Sequence, residues 1–273
     1  MKKFKLPVAL ATICSAVVLM TSMMLPASKV LLRLDPTEGI TYTNTIISDI
    51  AMKVMGQDMS IYSEMTMENE ITKVSNGTIA TNYKLTHLTN KMNIPGMPAV
   101  AYDSNNTSPE GMMEKQLAGV YGLLVNKDFP MEVSNRGEVI KSPDFSELVA
   151  NAPQVGEINE SMKNLYVKFP EKEMGVGEFW AEDTTIEGQV PMNIKTKYTI
   201  KDINSKNIVI EMTGSISPVE NNTTIDGSLS GILNYDRKSC WLISGTTSMD
   251  TKVTISMQGQ TQSFDMKVSA VIK

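Results

Sequence analysis

Met52, Met55, Met59, Met65 and Met67 fall in one short stretch of the chain. Clustered thioethers hold soft ions such as Cu(I), commonly with His or Cys completing the set. This chain has one histidine, His87, and two cysteines, Cys14 and Cys240. The methionines share an aliphatic stripe with Ile46, Ile50, Val54 and Ile61, so they read as packing or as an adaptable apolar wall. No metal and no cofactor is expected.

Other chemistry-bearing residues point the same way. His87 has no second histidine for a zinc site. It is the only imidazole base, and no nucleophile-elbow motif is present. Cys240, beside Trp241, reads as a packed thiol. Glu171, Glu173, Glu178, Glu182, Asp183 and Glu187 offer carboxylate pairs of the kind glycosidases use. On a strand and its preceding loop they read instead as a solvated face. Gly175-x-Gly177 is followed by a strand pattern rather than a helix, which excludes a phosphate cradle. A protein without enzymatic activity is expected, with a His87-dependent hydrolase as a remote option.

The elements that position these residues are mainly strands, because apolar residues recur with period two. Ile46, Ile50, Met52 and Val54 share one parity; Met59, Ile61, Met65, Met67 and Ile71 share the other. A two-residue loop at Gly56-Gln57 puts all of them on one face, with Val54 opposite Met59 and Met52 opposite Ile61. At Ser75-Asn76-Gly77 a three-residue loop pairs Met67 with Leu85. A two-residue Asn-Gly loop would turn Leu85 to the wrong face. The same register sets His87 opposite Met65. Ser108-Pro109-Glu110 has the order of a helix start, and Met113, Leu117, Val120, Tyr121 and Leu124 follow at helical spacing. Shorter helical pieces are expected around Phe145 and Met162. A hairpin turns at Asn135-Arg136-Gly137. Strand alternation then resumes: 190–200, 208–216, 229–235 and 241–257. The last hairpin, at Gly259-Gln260, echoes the first and sets Val253 opposite Met266. Strands of this length must bend, and Gly231 and Gly245 are candidate bend points.

The expected fold is mainly β (α+β): a strongly curved antiparallel sheet of long meander strands, with a few helices over its concave face. Residues 28–273 form one domain, divided into a first meander (28–108), a helical insertion (109–168) and a second meander (169–273). The chain has 273 residues, 41% of them apolar and 6% aromatic, enough for a core without staples. Residues 1–27 read as a signal peptide: Lys2, Lys3 and Lys5, an apolar run, then Pro26-Ala27. An uncleaved membrane anchor is the alternative, since the run is long. Removing this segment takes away three lysines and shifts the formal charge from −5 to −8. That charge suits neither nucleic acid nor an anionic membrane. Only Cys240 remains, so no internal disulfide forms.

Leu32-Arg33-Leu34, Gly39, Tyr42, Gly56-Gln57, Phe169-Pro170 and Val176-Gly177-Glu178-Phe179-Trp180 carry a resemblance. The chain resembles a family of uncharacterised exported Bacteroidota envelope proteins with a Gly-Gln hairpin and a VG(D/E)xW motif. The resemblance implies an exported, periplasmic or envelope-associated protein and no catalytic residue. At fold level the shape is similar to the periplasmic lipoprotein carriers, in which a curved sheet and helices enclose acyl chains.

The expected function is binding of a lipid or apolar small molecule between sheet and helices. The candidate wall is Met52, Met59, Ile61, Met65, Met67, Leu85 and Trp180. The alternative is a structural or protein-interaction module of the envelope with a filled core.

Overall fold

The computed structural model describes residues 29–273 apart from 55, 107, 144–161, 164, 187–190, 220–222 and 258–259. The expected signal segment, the helical piece around Phe145 and the start of that around Met162 lie outside these residues. The first meander comprises β1 (Thr41–Val54), β2 (Gln57–Ser75), β3 (Thr78–Asn93) and β4 (Val100–Asp103). Helix α1 (Met112–Tyr121) follows, then β5 (Asp128–Ser134) and β6 (Val139–Lys141). The second meander is β7 (Phe179–Ile186), β8 (Met192–Ile203), β9 (Asn207–Pro218), β10 (Thr223–Asp236), β11 (Leu242–Met257) and β12 (Gln260–Ile272).

All twelve strands belong to one antiparallel sheet, ordered β6-β5-β3-β2-β1-β12-β11-β10-β9-β8-β7, with β4 also on β3. The first and last strands pair at its centre, and each meander runs outward from there. Threonine, serine and charged residues alternate with apolar ones along β1, β2, β11 and β12, so one face is polar. The apolar face curls inward. A single core cluster joins Ile79, Met131 and Val133 from one side to Ile200, Ile208 and Ile210 from the other. Leu32, Leu34, Phe169 and Met174 fill the space between them.

The first hairpin keeps the expected face but slides by two residues. Val54 pairs with Gln57, Met52 with Met59 and Ile50 with Ile61. Gly56, at φ +81°, is thus the second of the two residues between the strands, not the first. The last hairpin slides in the same sense: Met257 pairs with Gln260 and Val253 with Phe264. A slip of two leaves the side-chain faces unchanged, which is why parity alone does not resolve it.

The second turn differs from expectation in an instructive way. Ser75 pairs with Thr78, so the loop is the two-residue Asn76-Gly77, with φ +51° and +77°. Both positive values suit a primed hairpin turn. Met67 still pairs with Leu85, because β2 carries an extra residue at Thr72. This bulge restores the face that a strict ladder would lose. The Thr72 hydroxyl donates to the Ala80 carbonyl at 3.0 Å. A second bulge at Thr86 places His87 opposite Thr66, and Leu88 rather than His87 opposite Met65. His87 is therefore on the polar face, 3.1 Å from Asp103.

Helix α1 starts three residues later than Pro109 suggests. Its N-cap is Gly111, whose N–H donates to Glu114 at 3.2 Å. No residue of α1 is buried. It leans on β4 at one margin, where the Tyr121 and Tyr102 rings lie 5.7 Å apart. Cover over the middle of the sheet comes from irregular backbone, residues 30–35 and 165–174. Among the described residues no helix is long and apolar enough to cross a membrane.

Candidate ligand-binding hollow

Cross-strand partners share a face, so the inner surface can be read row by row. One row runs through ten strands: Trp180, Tyr198, Met212, Gly231, Thr247, Ala270, Ser48, Ser63, Asn90 and Tyr102. A neighbouring row holds Leu229, Met249, Val268, Ile50, Ile61, Met92 and Val100. A third holds Met266, Met52 and Met59. Gly231 leaves room beside Met212, since a Cβ there would stand 3.0 Å from the Met212 methyl.

Residues 165–174 cross this surface as a strap. Phe169 is its buried anchor, edge-on to Tyr235 at 5.6 Å. Its N–H donates to the Arg136 carbonyl at 2.8 Å, and Arg136 Nε donates to its carbonyl at 3.0 Å. Arg33 donates to the carbonyls of Pro170 at 2.7 Å and Glu171 at 3.1 Å. Trp180 Nε1 donates to the Lys168 carbonyl at 2.9 Å, while its ring stacks on Tyr198 at 5.2 Å.

Under the strap lies an apolar hollow of about 360 Å³. Ile46, Met67, Met212, Leu233, Ile272 and Trp241 supply sheet-side wall, and Leu165, Tyr166, Val167 and Phe169 the strap side. The polar groups at one end satisfy one another. Asn69 Nδ2 donates to the Tyr166 hydroxyl at 2.8 Å, and the Thr81 hydroxyl donates to Asn69 Oδ1. The Tyr83 hydroxyl meets the Met67 sulfur. Burial pushes the Tyr166 phenol up to about 12, against the bond from Asn69. Both tyrosines are thus held neutral, as an apolar enclosure requires.

On the other side of the strap, toward the β7 edge, is a more polar hollow of about 350 Å³. Glu182, Thr184 and Tyr198 line it, together with Lys163, Lys168 and the same Leu165, Tyr166 and Val167. Burial pushes the Glu182 carboxyl up from its ordinary 4.5 to about 7; the Lys168 charge and backbone N–H pull the other way. A carboxyl with a raised folded-state pKa favours folding most below about 4.5, and that advantage is lost as pH rises through about 7. Glu182→Gln is therefore expected to raise stability at pH 8 by on the order of 1 kcal/mol, after discounting for solvent screening. The gain should shrink toward pH 5, as denaturant unfolding at the two pH values will measure.

Of the seven wall candidates, Met67 lines the apolar hollow and Leu85 packs beside it across the strand pair. Met52, Met59, Ile61 and Met65 continue the same face beyond the strap and are half-buried. Ile61 joins Ile50, Met92, Val100 and Val268 in a wider hollow of about 590 Å³ toward the hairpin tips, shared with polar residues such as Asp49 and Lys91. Trp180 stands apart, at the far edge, where it clasps the strap. The sequence reading missed the strap residues and the inward face of Glu182. The signals were present: apolar Leu165, Tyr166, Val167 and Phe169 before Pro170, and the even parity that Glu182 shares with Trp180 and Thr184. Cys240 is buried as expected. No group of three or more His, Cys, Asp or Glu residues placed to hold a metal occurs among the described residues.

Comparison with known proteins assigns a family. The chain matches "Family of unknown function (DUF6263)" over residues 76–165 and 154–242, more than half its length. It belongs to that family. No curated protein matches. Among solved structures, one described as lipid–protein interactions in lipovitellin is similar in fold, with TM-score 0.53 and 10% identity. The alignment covers 88% of this chain and 25% of that one, so the chain spans a quarter of the lipovitellin length. An outer membrane channel from Pseudomonas putida F1 has TM-score 0.24 and 6% identity, over 88% of this chain and 97% of that chain.

Proposed function

We propose that this protein is exported to the cell envelope and binds a lipid or other apolar small molecule, without catalysing a reaction. The observation that carries the reading is the apolar hollow of about 360 Å³ under the strap. Its size lies within the ~300–1,000 Å³ range of small-molecule sites. Its walls are aliphatic, aromatic and thioether groups, and methionine adapts to ligands of variable shape. The half-buried methionine and isoleucine rows extend the same surface beyond the strap. The fold shared with lipovitellin, whose structure is described by its lipid–protein interactions, supports the reading at the level of architecture.

The test is a solvent extract of protein purified without detergent, analysed by mass spectrometry beside the Ile46→Trp variant. Ile46 lines the hollow, and the larger ring should fill part of it. Wild type is expected to yield about one apolar molecule per chain, and the variant at least fivefold less. Equal or negligible yields from both would favour the second reading, a structural or interaction module. The mutual hydrogen bonding of Asn69, Thr81 and Tyr166 speaks for that reading, because it is complete without a ligand.

A further inference from the structure

Turns in an antiparallel sheet alternate between its two ends. Five hairpins therefore close at one end, in the order β3–β4, β1–β2, β11–β12, β9–β10 and β7–β8 across the sheet. Each is the immediate neighbour of the next, so together they form a continuous rim. The residues between these strands, 94–99, 55–56, 258–259, 219–222 and 187–191, include two charges, Glu187 and Glu220, and no lysine or arginine. The opposite end is different. There the connections 135–138, 204–206 and 237–241 carry Arg136, Glu138, Lys206, Arg237 and Lys238.

Three rim hairpins hold a large apolar side chain out in solvent. Met97 is 55% exposed, Val219 47% and Ile186 40%. Met97 is fixed there by its turn: its N–H donates to the Ile94 carbonyl at 3.1 Å, around Pro95 and Gly96 at φ +79°. The inner face also opens toward this rim. Near the other end it is sealed by Ile71, Ile79, Ile200 and Ile208, all fully buried. Toward the rim Met52, Met59, Met92, Met249 and Met266 are half-buried, apart from a small packed cluster of Ile216, Ile225 and Val253. The hollow of about 590 Å³ lies at this open end.

The spacing indicates the partner. Neighbouring hairpins stand two strands apart, about 10 Å, so the apolar tips are points along an arc rather than one patch. A specific protein partner needs about 800 Å² of close-fitting surface on each side. A fluid lipid surface takes up separate side chains wherever they stand. Connections without cations gain nothing from anionic head groups, so the matching lipid is zwitterionic. We propose that this rim docks on the surface of a zwitterionic bilayer, with Met97, Val219 and Ile186 entering its outer layer and the strands standing upright on it. The open end of the inner face then meets the lipid directly, and an apolar molecule passes between bilayer and sheet without crossing water. That passage rests on the reading of the hollow; the docking does not.

Flotation of the full chain with phosphatidylcholine vesicles is the test. It compares wild type with a rim variant, Met97→Ser, Ile186→Ser and Val219→Ser together, and with a control, Leu123→Ser, Ile140→Ser and Val176→Ser together. The control residues are equally exposed but lie away from the rim. Wild type is expected to float with the vesicles. Moving one aliphatic side chain out of water corresponds to roughly tenfold in partitioning. The rim variant should therefore lose about tenfold or more, and the control less than about threefold. Vesicles containing phosphatidylglycerol should bind wild type no more tightly. Failure of wild type to float, equal losses in the two variants, or binding to the anionic vesicles alone would overturn the docking. A rim variant that floats like wild type but has lost a dimer seen in sedimentation would overturn it in favour of self-association. A solvent extract of the soluble protein reports on the hollow separately. A bound apolar molecule without flotation rejects the rim and leaves the hollow standing; flotation without a bound molecule does the reverse.

Discussion

Phe169→Ala is expected to lower stability by about 3–5 kcal/mol, the range for truncating a buried phenylalanine. Phe169 is 1% exposed and belongs to the same core cluster as Leu32, Tyr235 and Trp241. Its backbone is tied to Arg136 at both N–H and carbonyl, so the backbone will not easily close the void. The cavity left behind adds to the lost transfer energy. Denaturant unfolding monitored by circular dichroism gives the value. The strap also forms one wall of the apolar hollow, so the same variant should lose affinity for an apolar ligand. A stability loss below about 1 kcal/mol would mean that the strap is not packed as described.

Gly137→Ala is expected to cost about 2–4 kcal/mol. Two effects add. Gly137 has φ +84°, a conformation that alanine adopts only with strain. A Cβ at this position would also collide with the Val167 carbonyl oxygen of the strap. Gly77 supplies the control. It has a similar φ of +77°, but its nearest neighbour would be the Asn135 side-chain amide at 3.4 Å. Gly77→Ala should therefore show the conformational part alone, about 1–2 kcal/mol. The difference between the two variants measures how closely the strap is pressed onto the turn between β5 and β6. Equal losses would contradict that contact.

How far the fold was legible follows from what period two encodes. Alternation reports which face a residue occupies, and the faces of Met52, Met59, Ile61, Met65 and Met67 were read correctly. It carries no information about slips of two residues, so both glycine hairpins were placed two residues out. The Thr72 bulge shows a second limit. The rule that Leu85 must share a face with Met67 was right, and a longer loop was the natural way to satisfy it. The chain uses a tight Asn76-Gly77 turn plus one extra strand residue instead, and threonine at a bulge looks like threonine in a strand. The Thr86 bulge likewise moved His87 to the polar face.

The candidate site was legible in part for a related reason. Strand residues advertise their burial through periodicity, whereas an irregular strap does not. Tyr166, Val167 and Phe169 sit where neither helical nor strand spacing applies, so the cover of the hollow was assigned to helices. Glu182 was grouped with neighbouring acids along the chain. Its strand parity, shared with Trp180, sets it apart from Asp183 and turns it inward. Several residues quoted for the family resemblance prove to be core and strap holders. Leu32 and Leu34 are buried, Arg33 holds strap carbonyls, and Gly177, at φ +84°, donates its N–H to the Ile200 carbonyl at 2.8 Å.

The central claim is that an apolar chain occupies the hollow beneath the strap. Trp241 lines that hollow and is 5% exposed, out of reach of collisional quenchers in solution. Titration with a dodecanol bearing a terminal bromine, which quenches tryptophan on contact, tests the claim directly. The account predicts saturable quenching at about one ligand per chain, and its loss in the Trp241→Phe variant. Quenching that rises linearly without saturating, or that persists in Trp241→Phe, would contradict it.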